Sequence, residues 1–344
     1  TCLVIISLFL TACNQTDIKH EQPPEAVKSI IDLRNWDFEN NGMIPLAGEW
    51  AFFWEELLHP DQITNLNQVP YASVPDIWTS YKLDGITLTP EGYATYYLKM
   101  YPPDLKQIYG LYIKGEGSAY YLWVDGQLLA KKSQVGTEPQ TVTPSKGPIT
   151  VFFEPEGEVV EIVVQIANYH HRKGGFRNNF LFGLAESIHQ YQMQKWFADA
   201  FFFGIFFMMG LYHMFMYTFQ TNKKSPFYFA LVCWLLALRV GITNQSILLS
   251  ILPNISWSVI FRVEYLTFFL TPPLFMLFIK SLYPRDIPRW FVRAVFGFGI
   301  GFTLFMIFTD TLTLSYAPKY YQLVIILEVI FSLFFIGRII IKRR

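Results

Sequence analysis

Four ionisable side chains stand inside long apolar runs: Arg239, Arg262, Glu264 and Glu328. A charge near a bilayer centre costs about 2.5–3.5 kcal/mol on insertion scales, so each needs a partner or a polar niche. Arg239 and Glu264 are expected in the outer half of successive spans, with Arg262 at the same level. An Arg239–Glu264 pair, with Arg262 competing, would lower the cost and form an outward-facing polar pocket. Glu328, near mid-depth of its run, must face the bundle interior. The set reads equally as a structural ion pair plus a hydrogen-bonded Glu, or as parts of a switch. A second set lies in polar sequence. Trp78 and Tyr81 occupy a loop-like stretch where an aromatic face could stack on a sugar ring. "NYHHRKGGFRNN" gathers His170, His171, Arg172 and Arg177 around a Gly-Gly turn as a polar rim. The plainer alternative makes the tryptophans core, with Trp36, Trp50 and Trp54, and the His-Arg cluster a solvated loop. Neighbouring strand side chains point to opposite faces and no third ligand is evident, so no metal site is expected. HExxH, GxSxG, P-loop and clustered Cys/His patterns are absent, so no catalytic residue and no cofactor is expected either.

The elements that must position these groups fall into two halves. Between Leu33 and Ile188 the chain runs in short alternating or aromatic stretches broken by turn residues. A strand is expected over Ala94–Met100, stopping at Pro102-Pro103. Asp125-Gly126 is a two-residue hairpin turn between Tyr120–Val124 and Leu128–Lys132. "ITVFFEPEGEVVEIVVQIAN" repeats the device, turning through Pro155–Glu158, and "NNFLFGLAESI" reads as a closing strand. Many short strands at this spacing imply an all-β sandwich or jelly roll.

The second half is different in kind. Five apolar stretches, about 196–219, 226–242, 257–279, 290–308 and 320–341, approach or exceed the length of a membrane-spanning helix. Pro272-Pro273 should kink the third, and Gly297, Gly299 and Gly301 on the fourth suit close helix packing. The zero net charge hides an asymmetry: of 27 basic and 27 acidic residues, 13 and 5 lie from Trp196 onward. With the β domain outside, the inner side carries ten basic residues and the outer loops only Lys319, in agreement with the positive-inside rule. Nothing resembles the basic polar surface of a nucleic-acid binder. The three cysteines, Cys2, Cys13 and Cys233, provide no disulfide framework for the soluble part.

The opening stretch explains how the β domain would come to lie outside. Leu3–Leu10 is too short to span but suits a signal core. Leu10-Thr11-Ala12-Cys13 resembles the bacterial lipobox, with Cys13 as the lipidated thiol; an ordinary signal or anchor with an incidental Cys is the alternative. A polar, Pro-containing tether follows. The expected organisation is a signal sequence over 1–12, a tether over 13–32, a β-sandwich over 33–188, a juxtamembrane piece over 189–195 and a transmembrane domain over 196–344. A start at Thr1 and a basic end at Lys342-Arg343-Arg344 read as a fragment.

"LAGEWAFFW", "VPDIW", "YATYYLKM", "YYLWVDGQLL" and "VVQIANYHHRKGG" come in the order seen in galactose-binding-like jelly rolls. The N-terminal sugar-binding domain of β-galactosidases is similar. A jelly roll followed by Gly210-Leu211-Tyr212-His213, the Ser225–Phe229 stretch, Arg239 and Glu264-Tyr265-Leu266 resembles the bacterial seven-transmembrane receptors with diverse intracellular signalling modules. That resemblance implies seven spans and a cytoplasmic kinase, cyclase or phosphatase; five spans are seen here, and the effector is expected beyond them. It implies a receptor in the bacterial inner membrane, with an extracytoplasmic ligand-sensing domain. The implied partners are the lipid bilayer, a small-molecule or carbohydrate ligand, the effector domain and a second copy of the chain. Two other readings stand beside it: a multi-pass transporter or membrane enzyme that captures a glycan, and a surface-tethered binding module.

Overall fold

The computed structural model describes residues 22–342 apart from 64, 65, 67, 68, 116, 132, 221 and 253. Cys13 and the signal-like segment lie outside the described residues, as does Lys132 at the end of the expected hairpin. Eleven strands build two sheets that share one core: β1 Ile30–Asp32, β2 Ile44–Pro45, β3 Gly48–Trp54, β4 Tyr71–Val74, β5 Gly92–Tyr101, β6 Tyr109–Ile113, β7 Ala119–Val124, β8 Gln127–Lys131, β9 Ile149–Phe153, β10 Val160–Asn168 and β11 Phe180–Leu184. The larger sheet runs β8-β7-β10-β5-β3-β4, with β1 parallel to β5; the smaller runs β9-β6-β11-β2. β1 belongs to residues expected in the tether: backbone pairing with Lys99–Tyr101 draws that segment into the sheet.

Turn chemistry accounts for part of this topology. Asp125 (φ 48°) and Gly126 (φ 78°) both take left-handed backbone conformations, and the β7–β8 hairpin closes on them as expected. The second expected hairpin does not form. β9 pairs with β6, whereas β10 sits between β7 and β5, so the turn at 155–158 carries the chain from one sheet to the other. β10 is buried along nearly its whole length and therefore needs cover on both faces. One face joins the inter-sheet core with Trp50, Tyr96, Phe176 and Phe180. The other lies under Ile63, Leu66 and Val69, packed around Ala51, Tyr97, Trp123 and Val163.

Among the described residues five long helices follow: α1 Ala185–Phe219, α2 Ser225–Ile242, α3 Trp257–Leu282, α4 Arg289–Phe308 and α5 Ala317–Lys342. Each run is long and apolar enough to cross a membrane. The closing strand ends at Leu184 and α1 begins at Ala185, so the expected juxtamembrane piece is helical. At about 1.5 Å per residue, the 35 residues of α1 exceed a hydrocarbon core of about 30 Å. Ile188, fully buried, fills the space left by the missing Cβ of Gly110 on β6. α3 runs through Pro272-Pro273 as one helix. Pro273 cannot donate to the Phe269 carbonyl four residues before it; the Tyr321 hydroxyl of α5 donates there instead, at 2.7 Å. Of the three glycines on α4, only Gly299 packs closely, against Pro273 and the Phe269 carbonyl.

Candidate functional site

The sandwich rests on the loops that join α2 to α3 and α4 to α5, and most of the candidate residues meet at that seam. β10 ends at Asn168, whose fully buried amide donates to the carbonyls of Pro90 (2.7 Å) and His171 (2.6 Å). This anchors the loop 169–174. Gly174 and Gly175 close it: a Cβ on Gly174 would lie 2.4 Å from the Trp78 ring, and Gly175 has φ +101°. Trp78 is therefore the floor of the loop. It is fully buried, packs edge-on to Trp54 at 5.0 Å and donates its indole N–H to the Pro90 carbonyl at 3.2 Å. Protein atoms occupy the ring face expected to take a sugar. Tyr81 packs on Phe52 and donates its hydroxyl to the Ser73 carbonyl at 2.7 Å; burial raises its phenol pKa well above the ordinary value.

His170, His171 and Arg172 are not a solvated loop; they dock on the bundle. The Arg172 backbone N–H donates to Ser315 Oγ at 2.8 Å, and its Nε donates to the Ser315 carbonyl at 3.0 Å. His170 lies 3.4 Å from Thr311 Oγ1 and 3.2 Å from the Val142 carbonyl, with its ring 5.7 Å from that of Trp257. His171 sits edge-on to Phe261 and accepts at Nδ1 from the Lys173 backbone N–H (3.0 Å). Arg177 Nη1 approaches the same nitrogen at 3.3 Å. Burial first, then the positive charge of Arg177, hold the His171 pKa down to about 3, so the ring is neutral at ordinary pH.

Glu264 is the bundle's main contribution, and its partner is not the expected one. Its carboxylate forms an ion pair with Lys146, from the sandwich loop before β9, and both side chains are largely buried. Burial pulls the Lys146 ammonium below its usual pKa, and Glu264 opposes that shift. Arg239 instead donates to the Glu264 backbone carbonyl (3.1 Å) and to Thr267 Oγ1 (3.4 Å), with its guanidinium over the Phe268 ring. Arg262 donates to the carbonyls of Met306 and Thr309, where α4 ends. That placement sets a cation against the unsatisfied carbonyls of a helix C-terminus. Both arginines find carbonyls on their own side of the seam, which leaves the Glu264 carboxylate to the sandwich. Glu328 is buried at 6% exposure, as its position in the bundle demands, and its Oε2 has no hydrogen-bond partner among the described residues. It lies apart from the seam.

A cavity of about 190 Å³ opens where these groups meet, bounded by Lys146, His171, Arg177 and Glu264 on its polar side and by Trp257, Phe261 and Tyr265 on the other. The three aromatics follow one another at four-residue spacing along α3, with ring centroids 4.8 and 4.5 Å apart. Elsewhere along the seam, Gln245 donates through Nε2 to the Tyr112 hydroxyl at 2.8 Å, and its backbone N–H donates to Asp199 on α1 at 3.0 Å. Reading along the chain missed Lys146, Asn168, Ser315 and Thr311. Asn168 alone had a signal, a polar residue closing an otherwise apolar strand. Among the described residues no group of three metal-ligating side chains occurs.

Residues 195–344 match the family model described as 7TM diverse intracellular signalling. No curated protein matches the chain. Solved structures similar to it include a GH2 β-galacturonidase from Eisenbergiella tayi bound to galacturonate, at 17% identity and a TM-score of 0.29, covering 41% of this chain and 24% of that one. A β-glucuronidase from Faecalibacterium prausnitzii is 20% identical with a TM-score of 0.28, over 38% of this chain and 22% of the enzyme. One from an uncultured Clostridium sp. is 13% identical with a TM-score of 0.33, over 41% and 29%. The chain spans less than a third of the length of each of these enzymes.

Proposed function

We propose that the protein is a receptor, because its membrane part, residues 195–344, matches the 7TM diverse intracellular signalling family. In this reading the sandwich faces the extracytoplasmic side of a bacterial inner membrane, tethered there by a lipid on Cys13. A ligand, a carbohydrate or another small molecule, changes how the sandwich docks on the helices, and the helices set a cytoplasmic kinase, cyclase or phosphatase module. A second copy of the chain is a natural partner for such an output. The orientation draws support from charge: ten basic residues on one side of the spans against Lys319 on the other. The sandwich rests on the basic-poor side.

One observation carries the reading: the ion pair between Lys146 of the sandwich and Glu264 of α3. A receptor needs two arrangements of its helices that an outside event can bias. A charge pair across the domain boundary is a contact whose making and breaking differ between docked and released states. Removing one partner leaves the other buried and uncompensated, at a cost toward the low end of about 3–5 kcal/mol because both groups keep some solvent. Transport is less well supported. Among the described residues Arg239, Arg262 and Glu264 cluster at one end of the bundle and Glu328 is the charged group that lies deeper, so the described helices show no chain of charged groups from one end to the other.

The test uses the intact gene product in its host. Glu264→Gln and Lys146→Met, at matched membrane levels, are each expected to shift the basal transcriptional response in the same direction, since both cut the same contact. Unchanged transcription in both would count against a signalling role for the seam.

A further inference from the structure

We infer that the seam cavity binds a small carboxylate-bearing molecule with one apolar face, whose carboxylate takes the place of the Glu264 carboxylate on Lys146. The inference deepens the receptor reading and rests on it for its consequence, though not for its test.

Size sets the first bound. About 190 Å³ is the liquid volume of roughly six waters, room for a body on the order of ten non-hydrogen atoms. Polarity sets the second. Trp257, Phe261 and Tyr265 present a continuous aromatic wall, which suits a flat or aliphatic body. Among the described residues, the opposite wall holds the ammonium of Lys146, the guanidinium of Arg177 and the carboxylate of Glu264. An outer groove shares Gly115 and Arg177 with the cavity and adds Lys114, Lys173 and Asp76. Asp76 is already engaged by the Ile77 backbone N–H (2.7 Å) and Ser80 Oγ (2.6 Å). Among the described residues, the outer groove therefore carries more cations than acids, which favours anions.

The backbone is shaped for this placement. A Cβ on Gly115 would lie 2.6 Å from the Gly147 carbonyl oxygen, so only glycine lets the two loops pass closely enough to bring Lys146 beside Arg177. Gly117 has φ +66°, and a Cβ there would lie 2.5 Å from Arg177 Nη2, so the absence of a side chain leaves room for the guanidinium. A monocarboxylate is favoured over a dianion because the exchange is then like for like, one carboxylate for another on the same ammonium. Such a molecule prefers the arrangement in which Lys146 has left Glu264, which is the differential affinity that a shift between two states demands.

The probes are benzoate and hexanoate, with benzamide and hexanamide as uncharged counterparts. Binding is titrated by saturation-transfer NMR on the full chain in phosphatidylcholine nanodiscs. At least one acid is expected to bind saturably, its amide at least ten-fold more weakly. Arg177→Met and Lys146→Met should each weaken the acid at least ten-fold. Glu264→Gln should tighten it several-fold, because the internal competitor for Lys146 has been removed. A merely structural ion pair predicts the opposite, loss of binding through disorder of the seam. The inference is overturned if neither acid binds, if acid and amide bind alike, or if Glu264→Gln fails to tighten binding. The acid–amide comparison on the unaltered chain holds even where a variant fails to fold. Binding is read without any cellular output. Acid binding alongside unchanged transcription in the variants would thus sink the receptor reading alone, and altered transcription without acid binding would sink this inference alone.

Discussion

His171 lies at the seam with its imidazole neutral, and that has a direction in pH. In an opened state the ring titrates near its ordinary value of 6.5, whereas in the docked protein burial and Arg177 hold it at about 3. The docked state takes up fewer protons across that interval. Its stabilisation is complete above about 6.5 and is lost as pH falls toward 3, at a limiting slope of about 1.4 kcal/mol per unit. Hydrogen-exchange protection in the 169–174 loop, corrected for the intrinsic exchange rate at each pH, is expected to fall on acidification from pH 7 to pH 5, and His171→Gln should flatten that dependence. An unchanged profile in the variant would place the sensitivity elsewhere. Part of the clustering was readable at this scale: His170, His171, Arg172 and Arg177 do lie around the Gly-Gly turn, and His171 and Arg177 share a cavity with Glu264. What they face was not. The Arg172–Ser315 contact spans 143 residues of chain and the Lys146–Glu264 contact 118. A lysine in a Ser-Lys-Gly-Pro turn looks solvated until the partner surface is known.

Between elements, the tightest constraint is steric. A Cβ on Gly210 of α1 would lie 2.3 Å from the Trp234 indole of α2, while one on Gly204 of the same helix would meet nothing within 4 Å. Without a hydrophobic driving force between helices in lipid, such close approach supplies much of the attraction. Gly210→Val should separate the pair and lower the melting temperature of the detergent-solubilised chain by several degrees. Gly204→Val serves as the neutral control, and equal melting of the two would remove Gly210 from the packing. The same scale shows why some elements were legible and others not. Asp125-Gly126 identifies its hairpin because two successive left-handed residues permit little else. Pro155–Glu158 identifies a turn, but alternation in the flanking strands says nothing about which sheet the next strand joins. The α1 boundary was hidden for a similar reason. "FLFGLAESIHQ" is equally apolar as a strand end and a helix start, and only the fit of Ile188 over Gly110 decides between them.

Across the whole molecule, two kinds of connection link the sandwich to the bundle. Side-chain contacts at Lys146, Arg172, His170 and Tyr112 can be made and broken. The passage from Leu184 of β11 into Ala185 of α1 is covalent and has no intervening loop. Because a helix advances about 100° and 1.5 Å per residue, this junction behaves as a keyed shaft. One alanine inserted after Ala185 would turn the sandwich by about a quarter revolution relative to the spans, and two by more than half. Both should abolish crosslinking between cysteines placed at 146 and 264. Four insertions come within about 40° of a full turn, and seven within about 20° of two turns. With a bifunctional reagent long enough to span the added rise of about 6 Å at four and about 10.5 Å at seven, crosslinking should therefore return in part at four and again at seven, a phase dependence that a flexible hinge at 184–185 would erase.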